Sequence, residues 1–237
     1  MKIFHKEVKM QNSYKRVDAH LSSLGYCSRS EAKKFLKMFQ VCENGVRLFD
    51  ADKKVYHNDV TIDEKLLDPE SLTLLMHKPS GVICSHDDIG VLIYSLLPER
   101  YTRRNPKIAT IGRLDGDTTG AILLTDDGML NHRLTSPKSD VSKLYEVTLA
   151  EPLRGDEEEI FASGILLLKG EKKPLLPANM KIITSTLIHL EINEGKYHQV
   201  KRMFGAVGNK VVALHRIRFG EYSVENLGVG EYEILSL

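Results

Sequence analysis

Gly112-Arg113-Leu114-Asp115-Gly116-Asp117-Thr118-Thr119-Gly120, running through Ala121-Ile122-Leu123-Leu124-Thr125 into Asp126-Asp127-Gly128, is the stretch on which the reading of this chain turns. It places a single carboxylate, Asp115, in a loop bounded by glycines, and an apolar β-type run follows at once. A rigid strand beside a tight loop holds one acid at a fixed position and angle, as covalent or acid–base chemistry requires. The other use of an acid in such a loop is to cap a turn, and Asp117, Asp126 and Asp127 are read that way.

Around this stretch, 237 residues suffice for one large domain and a small one. The chain is 42% hydrophobic and 27% charged, enough apolar material for a sizeable core. The net charge of +1 conceals an asymmetry. Residues 1–40 hold nine Lys and Arg against three acids, a surplus of six that leaves the remainder at −5. A basic end on an otherwise slightly acidic chain points to a phosphate contact. Cys27, Cys42 and Cys84 are too few and too widely spaced for a disulfide framework or a zinc site, and the nine histidines are too scattered to suggest a metal. The N-terminus is too charged for a signal peptide and no apolar run approaches a membrane span, so a soluble cytoplasmic protein is expected.

The basic end has internal order. After an extension over 1–15, Val17, Leu21 and Leu24 recur at helical spacing and Gly25 should stop that helix. Ser28-Arg29-Ser30-Glu31 has the form of a capping box and predicts a second helix over about 29–39, with Ala32, Phe35, Leu36 and Phe39 buried and Lys33, Lys34 and Lys37 largely opposite. Asn44-Gly45 between short β-type runs signals a hairpin, and Val60–Ile62 adds a strand. Arg16 to Leu21, Ser28 to Ala32 and Glu43 to Gly45 resemble the alpha-L RNA-binding module, which implies phosphate contacts at Arg16, Arg29, Lys33 and Lys34. The polar, acidic 63–71 is read as a linker. Beyond it, β-like stretches near 72–77, 121–125, 143–149, 178–183, 186–192 and 210–218 alternate with helical ones near 155–163 and 197–207. The expectation is an α+β fold: a module over 16–62, then a domain over 72–237 on a mainly antiparallel mixed sheet.

The loop at 112–128 closely resembles the catalytic loop of the pseudouridine synthases that modify ribosomal RNA. Lys78-Pro79-Ser80-Gly81-Val82, Lys143-Leu144-Tyr145-Glu146-Val147, Glu194 through Met203 and Leu214 through Gly220 are similar to the same family's remaining motifs. His132 to Pro137 and Tyr197 to Asn209 place the nearest likeness among bacterial enzymes of the small-subunit (16S) rRNA. A large-subunit rRNA enzyme and a non-catalytic rRNA-binding assembly protein are the alternatives.

The resemblance implies base flipping, cleavage of the N-glycosidic bond, base rotation and reattachment through C5, without metal or other cofactor. Asp115 would be the catalytic acid, either as nucleophile on the sugar or as base at C2′. Tyr145 would pack on the flipped base, and Lys201, in preference to Arg202, would pair with Asp115. Arg113 would position the loop or a phosphate, or else help to flip the base, Arg202 would contact RNA, and His198 would be structural or RNA-contacting. The partner implied is 16S rRNA or a small-subunit assembly intermediate, bound by a monomer. Two departures from the family pattern carry expectations of their own: Gly116 predicts a less rigid loop, and Ala121 looser packing beneath it.

Overall fold

The computed structural model describes residues 12–136 and 139–236. Lys2, Lys6 and Lys9 of the basic surplus, with Pro137 of the finer motif, lie outside the described residues. The N-terminal unit comprises β1 (Tyr14–Arg16), α1 (Val17–Ser23), α2 (Ala32–Met38), β2 (Val41–Glu43), β3 (Val46–Arg47), β4 (Lys54–Tyr56), β5 (Val60–Ile62) and β6 (Lys65–Leu66). Val17, Leu21 and Leu24 face Ala32, Leu36, Val41, Val55 and Val60 in its core, so the helical spacing of α1 marks its buried side. Gly25 ends that helix at φ +80°, where a side chain would run into the Arg100 carbonyl. Asn44 and Gly45 both take positive φ, as a two-residue hairpin turn demands.

Three boundaries move. Tyr14–Arg16, expected to lie mostly in the extension, pairs antiparallel with β4, Lys15 opposite Val55. Ser28 and Glu31 do bond to each other, the Ser28 hydroxyl donating to Glu31 Oε2 at 2.6 Å, but α2 begins only at Ala32. The segment read as a linker supplies β6, paired to β5, and buries Leu67 in the core of the unit. Its polar composition hid a pairing made by backbone groups, which every residue carries.

The larger unit contains β7 (Thr73–Lys78), β8 (Val82–Ile83), β9 (Val91–Leu92), α3 (Glu99–Thr102), β10 (Ala109–Ile111), β11 (Thr119–Thr125), α4 (Gly128–Thr135) and β12 (Lys143–Leu149). It continues with α5 (Glu157–Ala162), β13 (Asn179–Ile182), β14 (Leu187–Ile192), α6 (Gln199–Ala206), β15 (Val211–Phe219), β16 (Tyr222–Ser223) and β17 (Tyr232–Ile234). Its sheet runs β13-β14-β12-β15-β11-β7-β17, with β10 on β11 and β16 on β15. Every pair in it is antiparallel except β11 with β15, so the sheet is mixed, as expected.

Both faces of this sheet are covered. Leu74, Met76, Ile122 and Leu124 join one cluster with Phe204 of α6 and Phe161 of α5. Leu75, Ala121 and Leu123 point the other way, into a cluster with Leu130 and Leu134 of α4. A strand buried on both sides reads as a continuous apolar run, which is what 121–124 shows. Ala121 is fully buried in its cluster.

The two units meet through polar groups. Asp68 pairs with Arg100 at 2.8 Å, and its N–H donates to the Tyr26 hydroxyl. Ser13 and Lys15 both donate to Glu70, and the Asn105 N–H donates to the Ser23 carbonyl. His20, His57 and Glu70 each offer a metal-ligating atom within 4.8 Å of the others, a juxtaposition that their sequence spacing conceals. Lys15 and Ser13 already satisfy that carboxylate, and the group reads as a polar joint.

Candidate active site

The loop carrying Asp115 joins β10 to β11, which are themselves a hydrogen-bonded pair. β11 gives one edge wholly to β7 and divides the other between β10 and β15. The division falls at Gly120, opposite Arg216, where φ is +106° and a Cβ would fall inside contact distance of the Arg216 backbone. Only glycine fits there, and through it the loop is anchored to the strand that follows α6.

Beneath the loop lies Lys78, which is fully buried. Its ammonium donates to the carbonyls of Pro79 (3.0 Å), Asp115 (3.1 Å), Gly116 (3.3 Å) and Thr118 (2.8 Å). Burial pushes this amine below its ordinary range, and the charges of Asp115 and Asp117 act the other way. The Gly81 N–H also donates to the Gly116 carbonyl, and the Thr118 N–H closes a turn onto Asp115. The Gly116 carbonyl therefore accepts from two donors. The sequence motif containing Lys78 was visible, whereas its position under the loop depends on the β7–β11 pairing.

Helix α6 supplies the other wall. Lys201 Nζ lies 3.0 Å from Asp115 Oδ2 and 2.6 Å from Asp117 Oδ1. His198, left-handed at φ 47°, precedes the first residue of the helix and brings Nε2 to 3.2 Å from Asp115 Oδ1. Each carboxylate oxygen of Asp115 thus faces a nitrogen. Burial alone would lower the Lys201 pKa, but its hydrogen bonds to Asp117 and Asp115 raise it, so this cation persists through neutral pH. The Lys201 hydrogen bond holds the Asp117 carboxyl below its usual range. Asp117, read from sequence as a turn residue, shares the lysine. Asp126 and Asp127 are structural, as read: Asp126 pairs with buried Arg104 at 2.6 Å, and Asp127 caps α4.

Above Asp115 opens a cavity of about 470 Å³, lined among others by Arg113, Lys143, Tyr145, His198 and Arg216. Tyr145, on β12, is 8% exposed, and Arg216 approaches its hydroxyl at 3.5 Å. Arg216 is itself buried, donates to the Ala121 carbonyl at 2.6 Å, and leaves Nη2 without a partner. Burial, with Arg216 nearby, pushes Lys143 down to about 8. Sequence reasoning assigned no site role to Lys143 or Arg216, because both lie in strands and only the fold aims them inward. Arg113 stands exposed at the rim. Arg202 points elsewhere, to Glu171 and to the carbonyls of Tyr197 and Lys169.

In the N-terminal unit, Arg29, Lys33 and Lys34 are exposed. Arg16 is engaged by Asp18 and Asp52.

Asp115 thus stands between Lys201 and His198, with Asp117 sharing the lysine, at a cavity walled by Tyr145. Residues 72–206 match the RNA pseudouridylate synthase family, and the chain belongs to that family. It is 42% identical to the ribosomal small subunit pseudouridine synthase A of Pasteurella multocida, over 93% of this chain and 96% of that one. The protein of that name from Vibrio cholerae is 48% identical, over 69% of this chain and 70% of its own. A crystal structure of a pseudouridylate synthase superposes with a TM-score of 0.66 at 40% identity, covering 93% of this chain and 96% of that one.

Proposed function

We propose that this chain converts one uridine of small-subunit (16S) rRNA to pseudouridine. The observation that carries the reading is Asp115, held between Lys201 and His198 at a cavity that admits a single flipped nucleotide. The names of the relatives, one matching over 93% of the chain and one over 69%, support the small-subunit substrate. The reaction is an isomerisation: the N1–C1′ bond breaks, a C5–C1′ bond forms, and the proton lost from C5 is balanced by one gained at N1. No redox partner enters that balance. The Asp115 carboxylate attacks C1′ or takes the C2′ proton, with Lys201 as its ion-pair partner in either case. Tyr145 stacks on the base and offers its hydroxyl to the proton transfer. Arg113 holds the loop or a phosphate at the rim.

The N-terminal unit acts as an alpha-L RNA-binding module, with Arg29, Lys33 and Lys34 as its phosphate contacts. The enzyme works as a cytoplasmic monomer; no described helix is long and apolar enough to cross a membrane. The test is incubation with unmodified 16S transcript, partly assembled small subunits and large-subunit rRNA, followed by carbodiimide-blocked primer extension. One new stop on small-subunit RNA is expected. A stop confined to large-subunit RNA would overturn the substrate assignment.

A further inference from the structure

One ring beyond Asp115 lies an aromatic surface that the isomerisation itself does not use. Tyr197 is 70% exposed, and its ring lies on that of His198 with centroids 3.8 Å apart and planes 20° from parallel. His198 is the residue whose Nε2 meets the Asp115 carboxylate. The exposed face of Tyr197 is thus one imidazole away from the reacting acid.

The segment that presents this ring is braced. Arg202 donates to the Tyr197 carbonyl at 3.0 Å and pairs with Glu171 at 3.0 Å. Buried Gln199 accepts from the Lys196 N–H at 2.8 Å and donates to Glu194 Oε1 at 3.1 Å. A tyrosine held out in water on a fixed loop offers a flat surface with little ordering cost on binding.

A second depression, also about 470 Å³, shares His198 with the main cavity and no other lining residue. Lys169, Lys201 and Arg202 line it, Lys201 paired with Asp115 and Asp117 and Arg202 with Glu171, and Gly205 and Ala206 keep that part of the helix surface small. An aromatic face beside clustered cations matches the two halves of a nucleotide, base and phosphate. Flipping a uridine strips its neighbour of a stacking partner, and an exposed ring beside the cavity can replace that stack.

We propose that Tyr197 and His198 form a second nucleotide subsite: the base directly adjacent to the target uridine stacks on Tyr197, and its phosphate faces Lys169 and Arg202. This rests on the reading that the uridine occupies the Asp115 cavity. The subsite makes the enzyme read its target as a dinucleotide, with the stacking strength of the second base contributing to site choice.

The test uses the full-length protein and a small-subunit rRNA fragment carrying 2-aminopurine on one side or the other of the modified uridine. Binding by the wild type should quench one of the two positions, and Tyr197→Ala should lose that quench while Tyr197→Phe keeps it. On the unlabelled fragment, Tyr197→Ala should raise KM about tenfold, the size of one lost base–aromatic stack, with kcat within about threefold. Equal quenching and equal KM in wild type and Tyr197→Ala would overturn the subsite. If the wild type bound the fragment without making pseudouridine, the reaction assignment would fail instead, and the fluorescence would still decide the stack.

Discussion

The loop at 112–118 and the exposed stretch at 29–34 that leads into α2 both gather charge, and they dispose of it in opposite ways. In the loop, Asp115 and Asp117 share Lys201, and the Lys78 ammonium spends its donors on loop carbonyls. On the exposed stretch, no ion pair among the described residues takes up Arg29, Lys33 or Lys34. Charges fixed against one another are preorganised and need no rearrangement when bonds change. Charges left in water keep their freedom and attract a polyanion by displacing its counterions. On the proposed reading, the two regions divide the labour between chemistry and capture.

Removing the central charge is the hardest way to break that division. Asp115→Asn keeps the shape and removes the carboxylate, so kcat should fall by about a thousandfold or more while RNA affinity stays within a few-fold. Single-turnover kinetics beside a filter-binding titration reads both. A smaller effect is expected on the capture side. Lys33→Gln with Lys34→Gln should weaken RNA binding about tenfold near physiological salt and lower the slope of log K against log salt by about 1.5. An unchanged slope would mean that this helix faces water.

The joint between the two regions gives the smallest and most pH-specific effect. Glu70 is held down to about 2: burial opposes this, and the Ser13 hydroxyl and N–H together with Lys15 overcome it. A depressed carboxyl contributes fully above its unfolded value near 4.5, and that contribution is lost as pH falls toward 2. Glu70→Gln should cost about 2 kcal/mol at pH 7, with the gap to wild type narrowing at pH 3.5. Urea unfolding at the two pH values checks it, and a gap that widens in acid would contradict the assignment.

Much of this was legible before the fold. The apolar runs of β7, β11 and β14 and the amphipathic α6 are long enough for periodicity to speak, and all lie within a few residues of where the pattern put them. Gly25 and Asn44-Gly45 announce their turns because few other residues tolerate those backbone angles. What escaped is what depends on distant partners. The short strands β6, β8, β9, β16 and β17 pair through backbone and leave no side-chain pattern. Lys78 beneath the loop, Asp117 on Lys201, and Lys143 with Arg216 in the cavity require strands remote in sequence to be neighbours. Arg16, a cation counted toward phosphate, is engaged by Asp18, two residues on, and by Asp52, which the folded chain brings to it.

The most direct test of the division sets both variants side by side on one 16S rRNA substrate, with kcat and the salt slope measured on the same preparations. Asp115→Asn should lose turnover and keep the wild-type slope. The Lys33, Lys34 double variant should keep kcat at saturating RNA and lose slope. An active Asp115→Asn enzyme, or a slope that follows Asp115 and ignores the lysines, would contradict the account.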